Sequence, residues 1–346
     1  MKSLAIWVPG PHSHDDEDGY ASTIDPLLRN LAKFSGLHSL CLDCTPGTTP
    51  AGYERYSERQ LDPVSHLTSL TKLVVRGEQN SCDCMRDFAR ALHGLQSIRE
   101  LEMSLPEDKE CTESIVAVCA HMPGLSSLTL GCHRDVHMDE ERGAGAIWVG
   151  VAGHLGRLTG LRTLDLSQCR VLDHSGRTSH ALAASLERLP ELRMLKLPEL
   201  KALSDWSIVA VVRALSSYHS ITSLALRLPG KCLYFGAHPA QEDLWATVCA
   251  LSTLQDLTVK GPYEVLPMRK CIASGKTATN SALGSLSCLT QLCVFGDFSQ
   301  YQLSGVSSLT CVCTLSVQCS GLCDEDMQEL VCSLSLIHIS ESTRPY

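Results

Sequence analysis

The chain has 346 residues, of which 44% are hydrophobic, so it is long enough to bury a sizeable core. Its 38 acidic and 29 basic residues give a net charge of −9, and no run of Lys or Arg stands out. Because basic side chains supply most of the affinity for phosphate backbones, we expect no nucleic-acid partner. The chain has neither an apolar run of about 18 residues nor the apolar core of a signal peptide, so we expect no membrane span and no secretion.

A set of apolar anchors with the spacing L-x-x-L-x-L recurs along the chain, and each copy predicts one short strand. The second and third anchors of a set are two residues apart, so they point to the same side of a strand. The first anchor lies where the chain turns into that strand. Met1, Leu4 and Ile6 fit the pattern ahead of ten further sets. In chain order these ten sets are Leu37/Leu40/Leu42, Leu70/Leu73/Val75, Ile98/Leu101/Met103, Leu125/Leu128/Leu130, Leu161/Leu164/Leu166, Leu192/Leu195/Leu197, Ile221/Leu224/Leu226, Leu254/Leu257/Val259, Leu289/Leu292/Val294 and Val312/Leu315/Val317.

Helices are predicted ahead of the strands, because apolar residues recur there at helical spacing. Leu182, Leu186 and Leu189, for example, lead into the first anchor Leu192. Each repeat therefore predicts a helix, a tight turn and a short strand. A single repeat of this kind cannot bury its own apolar face, so neighbouring repeats must stack.

The clearest copy, LTGLRTLDLSQC at 158–169, resembles the leucine-rich repeat consensus L-x-x-L-x-L-x-x-N/C-x-L. The long repeats resemble the ribonuclease-inhibitor type, which has a true helix in each repeat. The resemblance implies an α/β leucine-rich repeat solenoid over residues 1–333, a horseshoe with parallel strands on the concave face and helices on the convex face. Cys, Gly or Ser stands near the usual Asn position, and this departure leaves the sharpness of each turn open.

The two ends of the chain break the repeat pattern. The first strand has no helix before it, and the last helical pattern, beginning at Met327, never reaches its strand. We therefore expect a solenoid that is truncated at both ends. The tail 334–346 resembles a translated sequencing-library adapter through Leu-Ser-Leu-Ile-His-Ile-Ser-Glu and the following Thr-Arg, although Ser342 departs from it. The alternative is a natural disordered terminus.

The 18 cysteines predict a reducing, cytoplasmic setting rather than a disulfide framework. Some lie in helix-like apolar runs and others recur just after the strand of a repeat, where a thiol serves as a small buried apolar group. No asparagine lies in a glycosylation sequon. The cysteines on which this prediction depends are Cys119, Cys249, Cys332, Cys44, Cys132, Cys169 and Cys319.

Catalytic, metal and cofactor motifs are not supported by their spacing. SGKT at 274–277 lacks a phosphate-loop glycine, because that position is Lys270. HSHDDEDG at 12–19 lacks the alternating ligands of a calcium loop, so a solvated acidic loop explains it better. CLDC at 41–44 and CVC at 311–313 lack the second half of a zinc site and are better explained as strand residues. We expect no enzyme activity, no cofactor and no small-molecule ligand.

Surface features instead predict a protein partner. Intervals between first anchors range from 23 residues after Leu289 to 36 after Met1, and the extra length falls after strands, on one rim of a solenoid. Aromatic residues in those segments suit protein recognition, or they plug the edge between repeats. Charges on the inner strand positions form a second surface, or only a solvated face. The residues predicted to contact a partner are Trp148, Tyr234, Phe235, Lys72, Arg76, Glu100 and Glu102.

The resemblance to leucine-rich repeat proteins implies a protein-recognition module. The repeats further resemble those of intracellular NACHT- and leucine-rich-repeat-type sensors, which implies a role in innate immunity, with a separate nucleotide-binding domain as the switch. Two alternatives stay open. One is a substrate-recruiting subunit of a ubiquitin ligase, with an F-box ahead of the repeats. The other is a repeat-based GTPase activator, which would need a positioned arginine.

Overall fold

The computed structural model describes fourteen segments of the chain. They are residues 2–7, 30–31, 33–44, 62–77, 82–105, 109–131, 144–169, 176–198, 205–216, 220–227, 247–260, 286–296, 311–319 and 338–339. The chain divides into two compact units, Met1–Cys169 and Arg170–Tyr346. Within the described segments, no helix is both long and apolar enough to cross a bilayer.

Each unit contains a parallel β-sheet in which the strands follow one another in chain order. In the first unit the strands are β1 (Ser3–Trp7), β2 (Ser39–Cys44), β3 (Lys72–Gly77), β4 (Glu100–Ser104), β5 (Ser127–Gly131) and β6 (Thr163–Gln168). In the second unit they are β7 (Met194–Lys196), β8 (Ser223–Arg227), β9 (Asp256–Lys260), β10 (Gln291–Gly296), β11 (Thr314–Cys319) and β12 (His338–Ile339). Strand β12 lies inside the predicted adapter-like tail, and the origin of that tail stays a prediction.

Helices alternate with these strands, as the sequence predicts. The first unit has a short 3-10 helix (Asp62–His66) and the helices α1 (Cys82–His93), α2 (Lys109–Cys119) and α3 (Ala144–Leu155). The second unit has α4 (Arg177–Leu186) and α5 (Asp205–Ser216). Helix α1 packs on α2, α2 packs on α3, and α4 packs on α5. Neighbouring repeats therefore stack through their helices as well as through their strands.

The predicted anchors form the core, and they line up from strand to strand. Leu40 pairs with Leu73, and the same column continues through Leu101, Leu128 and Leu164. In the second unit the column runs from Leu195 through the later strands to Leu315. In the ten anchor sets, every anchor whose burial is described is 5% exposed or less. This register confirms the repeat boundaries read from the sequence.

A hydrogen-bond ladder explains why the turn into each strand keeps the same geometry. The backbone N–H groups of Thr71 and Lys72 both donate to the carbonyl of His38, at 2.8 and 3.0 Å. The Oγ1 of Thr71 donates to the same carbonyl at 3.0 Å. The paired backbone bonds recur in later repeats, ending with Cys313 and Thr314 donating to Thr290. Within each unit, these bonds tie the described turns to the equivalent turns of the preceding repeats.

The missing asparagine is replaced in at least one repeat by a thiol. Cys169 occupies the N/C position of the consensus, is fully buried, and its Sγ donates to the carbonyl of Leu130 at 3.1 Å. A β-bulge between β5 and β6 brings Gly131 opposite Gln168, so Cys169 falls next to that carbonyl. The buried thiol thus satisfies a backbone acceptor that would otherwise lose hydrogen bonding on burial. Parallel strands in chain order, alternating helices and the hydrogen-bond ladder between turns together define the α/β leucine-rich repeat fold.

Candidate functional site

The strand face is the sheet face opposite to the one that carries the second and third anchors. Strand residues alternate between the two faces, so Lys72, Val74 and Arg76 of β3 share this face. On β3 and β4 of the first unit it carries the charged block, which we define as Lys72, Arg76, Glu100 and Glu102. All four charged side chains are partly exposed to solvent.

The structure joins the four predicted charges into two cross-strand ion pairs. Lys72 Nζ lies 2.9 Å from Glu100 Oε2, and their residues pair directly in the register. Arg76 Nε donates to Glu102 Oε1 at 2.7 Å, diagonally across the same two strands. Both distances are typical of charge-assisted hydrogen bonds. The block therefore places two cations on β3 beside two anions on β4.

The ion pairs also shift the pKa values of both cations. The hydrogen bond to Glu100, and then its negative charge, raises the pKa of Lys72. Arg76 is affected in the same way by Glu102, whose hydrogen bond and charge raise the guanidinium pKa. Both cations therefore keep their charge throughout the physiological range.

Cys41 lies beside the charged block on β2 and could be mistaken for a nucleophile. Burial raises the pKa of its thiol, and the negative charges of Asp43 and Glu102 add to this effect, while Arg76 opposes it. A reactive cysteine needs a lowered pKa, because the thiolate is the nucleophile. The burial of Cys41 therefore favours the neutral thiol over the reactive thiolate.

The second unit presents a different strand face, with a basic–aromatic row that we define as Arg227, Lys260 and Phe295. These three residues pair in succession across β8, β9 and β10. Lys260 Nζ lies 5.7 Å from the centroid of the Phe295 ring, within the range of a cation–π interaction. This row was not predicted, although its three residues stand at the same distance from their first anchors, so an alignment of the repeats shows them.

Of the three aromatic residues predicted to contact a partner, Trp148 lies within the described residues. Its segment GAIWVG at 145–150 lies in the first half of α3. Trp148 is only 9% exposed there, whereas its neighbour Val149 is 38% exposed. The helix turns the indole towards the core because Trp148 follows the apolar period of α3. Its burial favours the packing role over recognition. Tyr234 and Phe235 lie outside the described residues.

The weak motifs of the sequence analysis can be placed in part. CLDC lies in β2, as predicted. CVC at 311–313 lies in the turn before β11 instead of in the strand, because the strand begins at Thr314. Both HSHDDEDG and SGKT fall outside the described residues. Among the residues that are described, no group of three or more His, Cys, Asp or Glu side chains could hold a metal ion.

In comparisons with known proteins, the chain is similar to solved structures but matches no family model and no curated protein. Among 118 similar chains of solved structures, actin-binding site 2 of leiomodin-1 is 15% identical, with a TM-score of 0.32, over 50% of this chain and 86% of that one. A leucine-rich repeat protein of Leptospira interrogans is 12% identical, with a TM-score of 0.28, over 97% and 100%.

A third similar structure, a protein from Bacteroides fragilis, is 12% identical with a TM-score of 0.40 and covers 73% of each chain. At these identities and TM-scores the similarity assigns neither a family nor a function. The case for a function therefore rests on the strand face itself.

Proposed function

We propose that this chain is a protein-binding repeat module and that its partner docks on the strand face, with the charged block as a principal contact. The observation that carries the proposal is the pair of cross-strand ion pairs, Lys72 with Glu100 and Arg76 with Glu102. They hold four charged groups in one defined pattern on a surface built from adjacent strands. Such a pattern can distinguish one partner from another by charge complementarity.

The charged block contributes little to folding, which supports a role in recognition. Exposed ion pairs typically stabilise a protein by about 0–1 kcal/mol, because solvent screens them. The anchors beneath the block already hold β3 and β4 together, since Leu73 and Leu101 are buried and paired. A partner that presents the opposite pattern of charges would gain specificity from the block without disturbing the core.

The basic–aromatic row supplies a second contact of different chemistry. Lys260 over Phe295 combines a cation with an apolar ring, a combination that suits a partner segment carrying a carboxylate beside an apolar side chain. The row therefore gives the second unit a candidate contact surface of its own.

We further propose that the parent protein is an intracellular innate-immune-type sensor whose repeats recognise a ligand protein, working in the cytoplasm without enzymatic activity. This finer proposal is supported by the resemblance of the repeats. The substrate-recruiting ubiquitin-ligase subunit and the GTPase activator are the competing proposals. The gene sequence upstream of Met1 distinguishes them: a phosphate-loop domain supports the sensor, an F-box supports the ligase subunit, and neither supports the activator.

A charge exchange tests the docking surface without removing the ion pair. In the full chain, Lys72→Glu is combined with Glu100→Lys, so that the pair can form again with the opposite polarity. We expect unchanged thermal unfolding and loss of the proteins that proximity labelling captures in cells with the wild-type chain.

The matched control exchanges another pair on the helix side. Lys109 Nζ lies 4.0 Å from Glu113 Oε1 in α2, and Lys109→Glu with Glu113→Lys reverses that pair away from the strand face. We expect this control to retain the captured proteins. If the strand-face exchange keeps them too, or if both exchanges lose them equally, the strand face is not the docking surface.

A further inference from the structure

The pre-anchor position, which is the residue immediately before each first anchor, has a defined side-chain direction in the second unit. Ser220 precedes Ile221, and its Oγ donates to the carbonyl of Leu192 at 2.8 Å. Thr253 precedes Leu254, and its Oγ1 donates to the carbonyl of Ile221 at 2.8 Å. In both cases the acceptor is the first anchor of the preceding repeat. The side chain at a pre-anchor position therefore points towards the preceding repeat. There it contacts the residue that follows the pre-anchor residue of that repeat.

The next two repeats place cysteine at this position. Cys288 precedes Leu289 and Cys311 precedes Val312. Both residues are exposed thiols in the structure. The pre-anchor column thus passes from two hydroxyl side chains to two consecutive thiols.

The register shows that the stacking continues without a break through these repeats. The N–H of Thr290 donates to the carbonyl of Gln255 at 2.8 Å, and the N–H of Cys313 donates to the carbonyl of Thr290 at 2.8 Å. Gln291 then pairs with Thr314 across β10 and β11. Cys288 and Cys311 each stand three residues before this pair, so they occupy equivalent places in adjacent repeats.

Neighbouring parallel strands lie about 4.7–4.9 Å apart. The turn bonds of Thr290 and Cys313 continue this stacking to within two residues of the two cysteines. The strand spacing falls within the Cα separation of about 4.4–6.8 Å that disulfides require. We propose that Cys288 and Cys311 form a reversible disulfide that joins two adjacent repeats of the second unit. The bridge would enclose the 22 residues from 289 to 310 and would act as a redox-dependent clip.

The oxidant in this proposal is a low-molecular-weight disulfide such as oxidised glutathione. One cysteine thiolate attacks a sulfur of that disulfide, which forms a mixed disulfide and releases one small thiol. The second cysteine thiolate attacks the mixed disulfide at the protein sulfur, and this step releases the other small thiol. In total, two protein thiols are oxidised to one disulfide, and the small disulfide is reduced to two thiols that take up the two protons.

The test uses the full native chain in buffers of oxidised and reduced glutathione. Remaining thiols are alkylated, and cleavage at Asp297 separates Cys288 from Cys311 for mass spectrometry of linked peptides. We expect a linked product that dominates over other pairs, persists in the double variant Cys293→Ser/Cys313→Ser, and disappears in Cys288→Ser or Cys311→Ser. The oxidised protein should also melt a few degrees above the reduced protein.

Moving one cysteine of the pair to the preceding repeat provides the positive control. In Cys311→Ser, the further substitution Thr253→Cys puts a thiol at the preceding pre-anchor position, and we expect it to restore a bridge to Cys288. The proposal is overturned if Cys288 and Cys311 are recovered alkylated or as separate glutathione adducts, or if Thr253→Cys restores nothing. Equal yield of the bridge in denaturant would also overturn it, because the bridge would then not depend on stacking.

Discussion

Trp148→Ala measures whether the buried indole of α3 supports the fold or serves recognition. Trp148 is 9% exposed, so nearly all of its side chain is removed from water on folding. A large aromatic side chain buries about 150–250 Å², which corresponds to about 4–6 kcal/mol at 25 cal/mol per Å² as an upper estimate. Truncations of buried aromatic residues cost about 3–5 kcal/mol. We therefore expect the free energy of unfolding to fall by about 3–5 kcal/mol.

For a unit of this size, each kcal/mol lowers the melting temperature by about 2–4 °C, so the expected decrease is about 6–20 °C. Circular dichroism during thermal and urea unfolding measures both quantities. Val149→Ala is the matched control, because Val149 is the next residue of the same helix and is 38% exposed. Its effect should stay within about 0.5 kcal/mol. A Trp148→Ala variant that melts like the wild type but loses its partner would refute the packing role and return Trp148 to the binding surface.

Two further predictions concern α2 and α3. A Cβ added at Gly153 meets nothing within 4 Å, so Gly153→Ala should stabilise α3 by about 0.5–1 kcal/mol. Gly150→Ala should stabilise it less, because the added Cβ overlaps the Glu113 carboxylate. Equal gains of the two variants in urea unfolding would contradict this contact. Burial, and then the charge of Arg157, lowers the pKa of His154 below its ordinary 6.5, so stability present above that pH should be lost as the pH falls through 6.5 towards the folded-state value. Melting temperatures of wild type and His154→Gln between pH 7.5 and 5 (about the range in which histidine titrates) should diverge, with the wild type losing more; parallel curves would contradict the prediction. The charged groups that act on His154 are Arg157, Glu113 and His121.

The sequence predicted the strands well because the apolar period is tied to the hydrogen-bond ladder. The number of residues from the first anchor, in the turn, to the third anchor, on the buried face of the strand, is the same in every repeat. Every anchor set therefore marked a strand correctly. Helix starts were harder to predict, because the segment after each strand varies in length. The start of α3 at Ala144, for example, was not predicted.

The four charged residues of the candidate site were predicted from the sequence, but the ion pairs between them were not. Lys72 and Glu100 both stand two residues after their first anchors, so an alignment of repeats would have shown them side by side. Arg76 and Glu102 stand at different distances from their anchors, and their diagonal contact depends on side-chain length and rotamer. Repeat offsets therefore predict contacts along a column, while contacts between columns require the structure.

The hydrogen-bond ladder also bears on the proposed docking surface. Within each unit the described strands are tied to their neighbours through their turns, so under the proposal β3 and β4 present their charges on a preformed backbone and less ordering is needed on binding. In a repeat protein each repeat contacts its nearest neighbours. A charge exchange on β3 and β4 should consequently leave the ladder at β10 and β11 intact. The Cys288–Cys311 bridge should then form equally well in the exchanged protein, so that loss of partner binding and loss of the bridge report on different parts of the chain.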